Sequence, residues 1–255
     1  MIESASYVYL AARDIPQDVV NGVTGVAGSP LRLVRSAGLT AVVSSVDLIE
    51  FGEEGLRRNL EDLQWLERVA RVHDHVVHQV GSATAVAPWR LATIMRDDTR
   101  VAELLDSWAV ELKASLDRVE GCSEWSVKML STPAVSTAGQ REPATGTAYL
   151  QQRRAANARR TERAQNASVE ADQIHIALSR LTIASRRLPP QDRRLTGHQG
   201  DMVLNGAYLV RDDQSEAFAA LVEQLGTELE DFGSLEINGP WPPYSFATLE
   251  PTEPA

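Results

Sequence analysis

The apolar residues of this chain change their spacing several times, and that change limits the fold more than any single motif does. Near the N-terminus they alternate with a period of two, in residues 7–11 and in a hairpin made of residues 31–34 and 39–43. From residue 53 to about residue 80 they recur every three or four positions. The first period predicts strands and the second predicts a helix, so the sequence predicts a mixed α+β fold.

The same alternation continues through the first half of the chain. Residues 84–95 predict a strand with Pro88 at an edge or bulge, because proline cannot donate to a central ladder. Asp97 and Asp98 predict the N-terminal cap of a second helix that ends at Gly121, and residues 125–130 predict a closing strand. This order predicts a ferredoxin-like variant, an antiparallel sheet with helices on one face.

The second half of the chain follows a segment rich in Pro, Gly and small polar residues, which predicts a linker. We therefore expect an N-terminal ferredoxin-like domain over residues 1–131, a linker over residues 132–146 and a helix-rich C-terminal α+β domain over residues 147–255. The pattern of the last domain predicts one long helix that Pro189 ends, with a narrow apolar seam in its second half. A strand, a helix and a short strand after it predict a small βαβ, ferredoxin-like element.

Composition excludes several classes of function. The chain of 255 residues has 35 acidic and 25 basic residues, a formal charge of −10 that repels nucleic-acid backbones and anionic membranes. The first residues carry an acid and no apolar segment, unlike a secretion signal, and no stretch is long and apolar enough to span a membrane. These features predict a cytoplasmic protein with no nucleic-acid or membrane partner.

A few polar residues are candidates for catalysis or metal binding. His73, His75 and His78 lie close together beside Asp74, but metal-binding helices usually pair their ligands four residues apart, so we expect these histidines on an exposed helix face. Cys122 is the single cysteine and cannot form an internal disulfide.

Two further patterns have plain structural explanations. Residues 22–28 are glycine-rich but lack the Lys-Ser/Thr of a phosphate-binding loop, and Glu53 and Asp97 open predicted helices, where carboxylates are favoured by the helix dipole. The sequence therefore predicts no catalytic residue, no cofactor and no metal, and a protein that is not an enzyme.

One segment near the C-terminus combines three prolines with three aromatic residues, which makes it stiff and amphipathic. Such a segment either covers the core of its own domain or offers a recognition surface to a partner, and the sequence leaves both open. The candidate protein-interaction residues are Gly239, Pro240, Trp241, Pro242, Pro243, Tyr244 and Phe246.

Residues 239–246, Gly-Pro-Trp-Pro-Pro-Tyr-Ser-Phe, resemble the C-terminal signature of the GvpL/GvpF family of gas vesicle proteins. Residues 7–9, 88–93 and 204–210 match further family segments, although Ala92 stands where family members often have glycine. The resemblance implies a two-domain protein at the gas vesicle that has no active site. It also implies contacts with the main shell protein and with other accessory gas vesicle proteins during assembly.

The sequence is also compatible with two other classes of function. A small-molecule-sensing regulatory module is the alternative, because ferredoxin-like sheets often bind ligands. An enzyme that uses residues 73–75 ranks last. The polar first half of the long helix also leaves self-association open.

Overall fold

The computed structural model describes residues 4–132, 146–191, 200–229 and 233–247. The chain forms two compact units, the first made of Met1–Glu124 with Trp241–Ala255 and the second of Trp125–Pro240. Both contain helices and an antiparallel sheet, which confirms the predicted α+β fold with two domains.

The three longest strands of the first unit's sheet are those that the period of two predicted. β1 lies between β3 and β4, β2 pairs with β3 at the edge, and β5 also pairs with β1. The pairs are antiparallel. The strands are β1 (Ser4–Ala12), β2 (Arg32–Ser36), β3 (Leu39–Asp47), β4 (Ala87–Pro88) and β5 (Ile94–Met95).

Helices of the first unit pack around this sheet. The aromatic side chains of Tyr7, Phe51 and Trp65 and the valines of the longest helix form its core. Its helices are α1 (Gln17–Val20), α2 (Leu48–Phe51), α3 (Glu53–Asn59), α4 (Leu63–Gly81), α5 (Asp98–Ser107) and α6 (Ala109–Val119), together with α9 (Tyr244–Ala247) from the C-terminal end of the chain.

Three predicted elements of this unit are divided in the structure. The helix predicted from residue 53 is split into α3 and α4, because Asp62 leaves the helix and its carboxylate accepts from Gln64 N at 2.9 Å as the cap of α4. The strand predicted over residues 84–95 is reduced to the short β4 and β5. The helix that Asp97 caps, through a 3.0 Å bond from Arg100 N, is interrupted at Trp108.

The second unit has a single sheet with strand order β7-β8-β6-β9. Its elements follow one another as βαββαβ, so this order is that of a ferredoxin-like fold. Met129, Ile174, Tyr208 and Phe218 lie in its core. The elements are β6 (Cys122–Ser131), α7 (Gly146–Ser179), β7 (Ala184–Arg187), β8 (Met202–Arg211), α8 (Ser215–Glu228) and β9 (Gly233–Trp241).

The long helix of this unit ends earlier than the sequence predicted. It stops at Ser179, and Ala184–Arg187 form β7, which pairs with Gly206–Leu209 of β8. Ile183 N donates to Leu209 O at 2.8 Å and begins this pairing. The predicted small βαβ element is therefore part of a complete four-stranded sheet.

The division into units differs from the predicted domains at two places. Most of β6 belongs to the second unit, because β6 is a central strand of that unit's sheet. The residues from Trp241 onward belong to the first unit. Most of the predicted linker, residues 133–145, lies outside the described residues.

Candidate functional site

The last part of the proline-aromatic segment is built into the first unit. The short helix α9 packs against α6 and β4, and the side chains of Pro243, Phe246 and Ala247 are buried. A buried phenylalanine removes a large apolar area from water. The segment therefore contributes to the core of the first unit, whereas the sequence-based alternative expected it to cover the core of the C-terminal domain.

Two polar contacts hold α9 in this position. The carboxylate of Glu124 accepts from the Ser245 backbone N at 2.7 Å and from its hydroxyl at 2.6 Å. A carboxylate at the first turn of a helix satisfies amide groups that have no partner within the helix. At the other end, Ser115 Oγ donates to the Ala247 carbonyl at 3.3 Å, which gives the buried Ser115 hydroxyl an acceptor.

Tyr244 connects α9 to the longest helix of the unit. Its hydroxyl donates to Asp74 Oδ1 at 3.3 Å, and its ring lies 6.4 Å from the ring of His73. Burial raises the pKa of Tyr244 well above its ordinary value, and the neighbouring Asp74 carboxylate acts in the same direction. Tyr244 thus stays protonated and serves as a hydrogen-bond donor.

His73 lies at the centre of a buried aromatic cluster. Only 3% of it is exposed, and its Nδ1 is 3.0 Å from the Tyr7 hydroxyl. Its ring also stacks on Tyr9, with centroids 5.5 Å apart. Burial lowers the pKa of His73 to about 4, an effect that the Trp89 backbone and the Asp74 carboxylate partly oppose, so the imidazole is neutral at pH 7.

The two tyrosines of the cluster are fixed by backbone groups. Ala92 N donates to the Tyr7 hydroxyl at 3.1 Å, so the phenolic proton is free to be donated to His73 Nδ1. Val26 N donates to the Tyr9 hydroxyl at 2.6 Å. Burial raises the pKa of both tyrosines, which therefore remain neutral.

Two small residues allow this arrangement. A Cβ at Gly25 would lie 2.5 Å from the Tyr9 hydroxyl oxygen, so glycine lets the loop approach Tyr9 closely. Ala92 has a φ of 60°, in the left-handed region that favours glycine. This backbone conformation gives a physical reason for the glycine that the family resemblance expects at that position.

The remaining candidate residues lie closer to solvent. Pro240 is exposed, and Trp241 is 43% exposed. The Trp241 ring makes an edge contact with the His78 ring at a centroid distance of 6.5 Å, and Pro242 lies near Gly81 of α4. Trp241 is therefore the most exposed aromatic residue of the segment.

The histidine prediction is wrong for His73, which is buried, whereas His75 and His78 are exposed as expected. The sequence contained a signal for the burial of His73, because His73 lies four residues after the buried Val69 and therefore on the same face of α4. Within the described residues no group of three His, Cys, Asp or Glu side chains is arranged to hold a metal ion. Among those same residues, no helix combines the length and apolar character needed to cross a bilayer.

Comparisons with known proteins agree with this architecture. The family model described as "Gas vesicle synthesis protein GvpL/GvpF" matches residues 5–248. Gas vesicle protein L from Streptomyces sp. (strain CB03234) is 38% identical over 249 residues, which cover 95% of this chain and 92% of that protein. Gas vesicle protein F from the same strain is 24% identical over 256 residues, or 95% of this chain and 99% of that protein.

Solved structures give the same fold. The crystal structure of the gas vesicle protein GvpF from Anabaena sp. PCC7120 superposes with a TM-score of 0.69 at 20% identity, and the similarity covers 97% of each chain. GvpF from Microcystis aeruginosa gives a TM-score of 0.67 at 18% identity, covering 96% of this chain and 99% of that one. The relatives support a gas-vesicle-related role, and the chain belongs to the GvpL/GvpF family of gas vesicle synthesis proteins.

Proposed function

We propose that this protein assists gas vesicle assembly as an accessory or minor structural component, through contacts with the main shell protein and with other accessory gas vesicle proteins. The observation that carries the proposal is the family match over residues 5–248, which spans both compact units. The protein acts in the cytoplasm at the growing gas vesicle and catalyses no reaction.

The chemistry of the buried cluster fits a protein that binds rather than reacts. Tyr7, Tyr9 and Tyr244 have pKa values raised by burial, and His73 has a lowered one. All four groups are therefore neutral at pH 7, and their hydrogen bonds join β1 to β3 and to α4, and α4 to α9. These contacts hold α9, and with it the exposed part of the proline-aromatic segment, in a fixed position.

Trp241 is the residue we assign to the partner contact. Tryptophan is enriched among the residues that dominate binding energy at protein interfaces. A recognition residue binds more tightly when its backbone is already ordered, because less conformational entropy is lost on association. The buried Pro243 and Phe246 hold the chain that follows Trp241 in a fixed position.

We expect Trp241→Ala to weaken retention of the shell protein at least tenfold while leaving the fold intact. The test co-expresses an affinity-tagged form of this chain with the main shell protein of the same gene cluster and measures how much shell protein co-purifies. Leu63→Ala is the matched control, since Leu63 is a large apolar side chain that is 77% exposed on α4. It should retain the shell protein as the parent does.

Two results would contradict this assignment. If the parent retained no shell protein at low or high salt, direct shell binding would be excluded. If Trp241→Ala and Leu63→Ala retained as much shell protein as the parent, the contact would lie elsewhere on the surface.

A further inference from the structure

The first half of α7 is helical, and none of its residues whose burial the structure describes is buried. Every residue between 147 and 166 whose burial the structure describes is exposed, and we call this part of the helix the basic arm. The buried seam of α7 begins only at Ala167 and continues through Ala171, Ile174 and Leu178. Alanine, arginine and glutamine favour helix formation, but this helical segment of about 30 Å buries none of those described side chains against its own unit.

The charge of the basic arm is opposite to that of the chain. Five arginines and one glutamate give residues 147–166 a net charge of +4, so the rest of the chain carries −14. Arg153, Arg160 and Arg163 share roughly one third of the helix circumference, at about 100° per residue, whereas Glu162 lies on the far side. This basic face continues the direction of the buried seam. The five arginines are Arg153, Arg154, Arg159, Arg160 and Arg163.

A matching acidic face lies on α8 of the same unit. Ser215–Glu228 contains three glutamates and no Lys or Arg. Glu216 and Glu223 are both exposed and stand seven residues apart, with the small and exposed Ala220 between them. Arg153 and Arg160 have the same seven-residue separation, with the small Ala156 between them. Two helical turns separate each pair, which is about 10.5 Å along the axis.

We propose that the basic arm is a docking surface for a second copy of this chain, in which it binds the acidic face of α8. Arg153 and Arg160 of one copy pair with Glu223 and Glu216 of the other, and the same contact is made in the opposite direction. Such a reciprocal exchange closes the assembly at two copies. The small residues between the charges let the two helices approach closely.

The charge of the basic arm favours a second copy of this chain over the other possible partners. Two basic arms repel one another, so a dimer through the arms alone is disfavoured. A nucleic acid would meet the arm favourably but would be repelled by the charge of −14 on the remainder. A second copy presents both charge signs and is present wherever the protein is made. The proposal does not depend on the shell contact at Trp241, so each one can fail without the other.

Sedimentation velocity tests the parent first. At about 50 mM salt we expect a species of twice the 27.9 kDa chain mass, and at about 0.5 M salt we expect the single chain, because salt screens contacts between exposed charges. A parent that remains at 27.9 kDa at low salt and high protein concentration overturns the proposal.

Charge exchange then tests the two faces. The arm variant Arg153→Glu with Arg160→Glu and the α8 variant Glu216→Arg with Glu223→Arg should each be monomeric at low salt. An equimolar mixture of the two should recover the dimer, because each reversed face then meets its opposite. Arg154→Glu is the control, since Arg154 lies on the other side of the helix, and it should dimerise like the parent. All these side chains are exposed, so circular dichroism should show unchanged folds.

The remaining outcomes also decide. If the arm variant is monomeric but the α8 variant still dimerises, the arm binds another acidic surface and the proposed pairing is wrong. A mixture that stays monomeric leads to the same conclusion. If the parent dimerises only when RNA is added, the occupant is a nucleic acid and the proposal is overturned.

Discussion

Replacing Phe246 with alanine is expected to lower the free energy of unfolding of the first unit by about 3–5 kcal/mol, the usual cost of emptying a buried phenylalanine site. Phe246 is 4% exposed and lies in α9, which packs against α6 and β4. The cavity would also weaken the support for the bonds from Ser245 to Glu124. The C-terminal segment is thus predicted to stabilise a unit whose other residues end at position 124.

Urea denaturation followed by tryptophan fluorescence measures this effect. The first unit contains four of the five tryptophans, at positions 65, 89, 108 and 241, so the signal reports mainly on that unit. Tyr244→Phe is the matched control, because it leaves every tryptophan in place, whereas a change such as Trp89→Phe would alter the fluorescence signal itself. Tyr244→Phe keeps the ring and removes the hydroxyl that donates to Asp74, with an expected loss of about 1 kcal/mol. Equal losses for Phe246→Ala and Tyr244→Phe would contradict a core role for Phe246.

The stability of the first unit is also expected to fall as the solution is made acidic below pH 6.5, by about 1.4 kcal/mol per pH unit. The cause is His73, whose pKa is about 4 in the folded protein against an ordinary value of 6.5. Between these two values the unfolded chain binds a proton that the folded chain excludes, so acid favours unfolding. The stability is fully present above pH 6.5 and is lost as the pH falls toward 4.

The structure explains why His73 is hard to protonate in the folded protein. Ala92 N donates to the Tyr7 hydroxyl, which lies 3.0 Å from His73 Nδ1. Adding a proton to the imidazole would place a positive charge in a site of which only 3% is exposed, where burial disfavours the charged form. We therefore expect His73→Gln, which still offers an acceptor to Tyr7, to flatten the pH dependence.

The free energy of unfolding is measured by urea denaturation at pH 7.5, 6.5 and 5, with tryptophan fluorescence as the probe. The parent should lose about 1.6 kcal/mol between pH 6.5 and 5, and His73→Gln should lose less than half of that. His175, whose pKa burial also lowers, belongs to the second unit and contributes little to this signal. A parent and a variant with the same pH dependence would show that His73 is not the titrating group.

Sequence patterns predicted the helices and strands that are specified by local signals within their own residues. The alternation in residues 39–43 predicted β3, and the Asp97 cap predicted the start of α5, because both signals are local. β7 was missed because Ala184–Arg187 carry no apolar alternation and form a strand only through pairing with β8. Tertiary contacts override local propensity in such segments.

The site shows the same limit. The aromatic and proline content of residues 239–246 identified the segment, but no local pattern tells which unit Phe246 packs against. His73 was predicted to be exposed because histidine is polar, whereas its position on α4 beside Val69 and Val76 places it in the core. Packing partners that are far apart in sequence decide both cases.

Gas vesicle production with and without this chain tests the central claim most directly. A host that carries a complete gas vesicle gene cluster, with the gene for this chain deleted, should form at least tenfold fewer vesicles by electron microscopy. The parent supplied in trans should restore them, and the Trp241→Ala variant should restore far fewer at equal protein level. Normal vesicle numbers after the deletion would contradict a role for this protein in gas vesicle assembly.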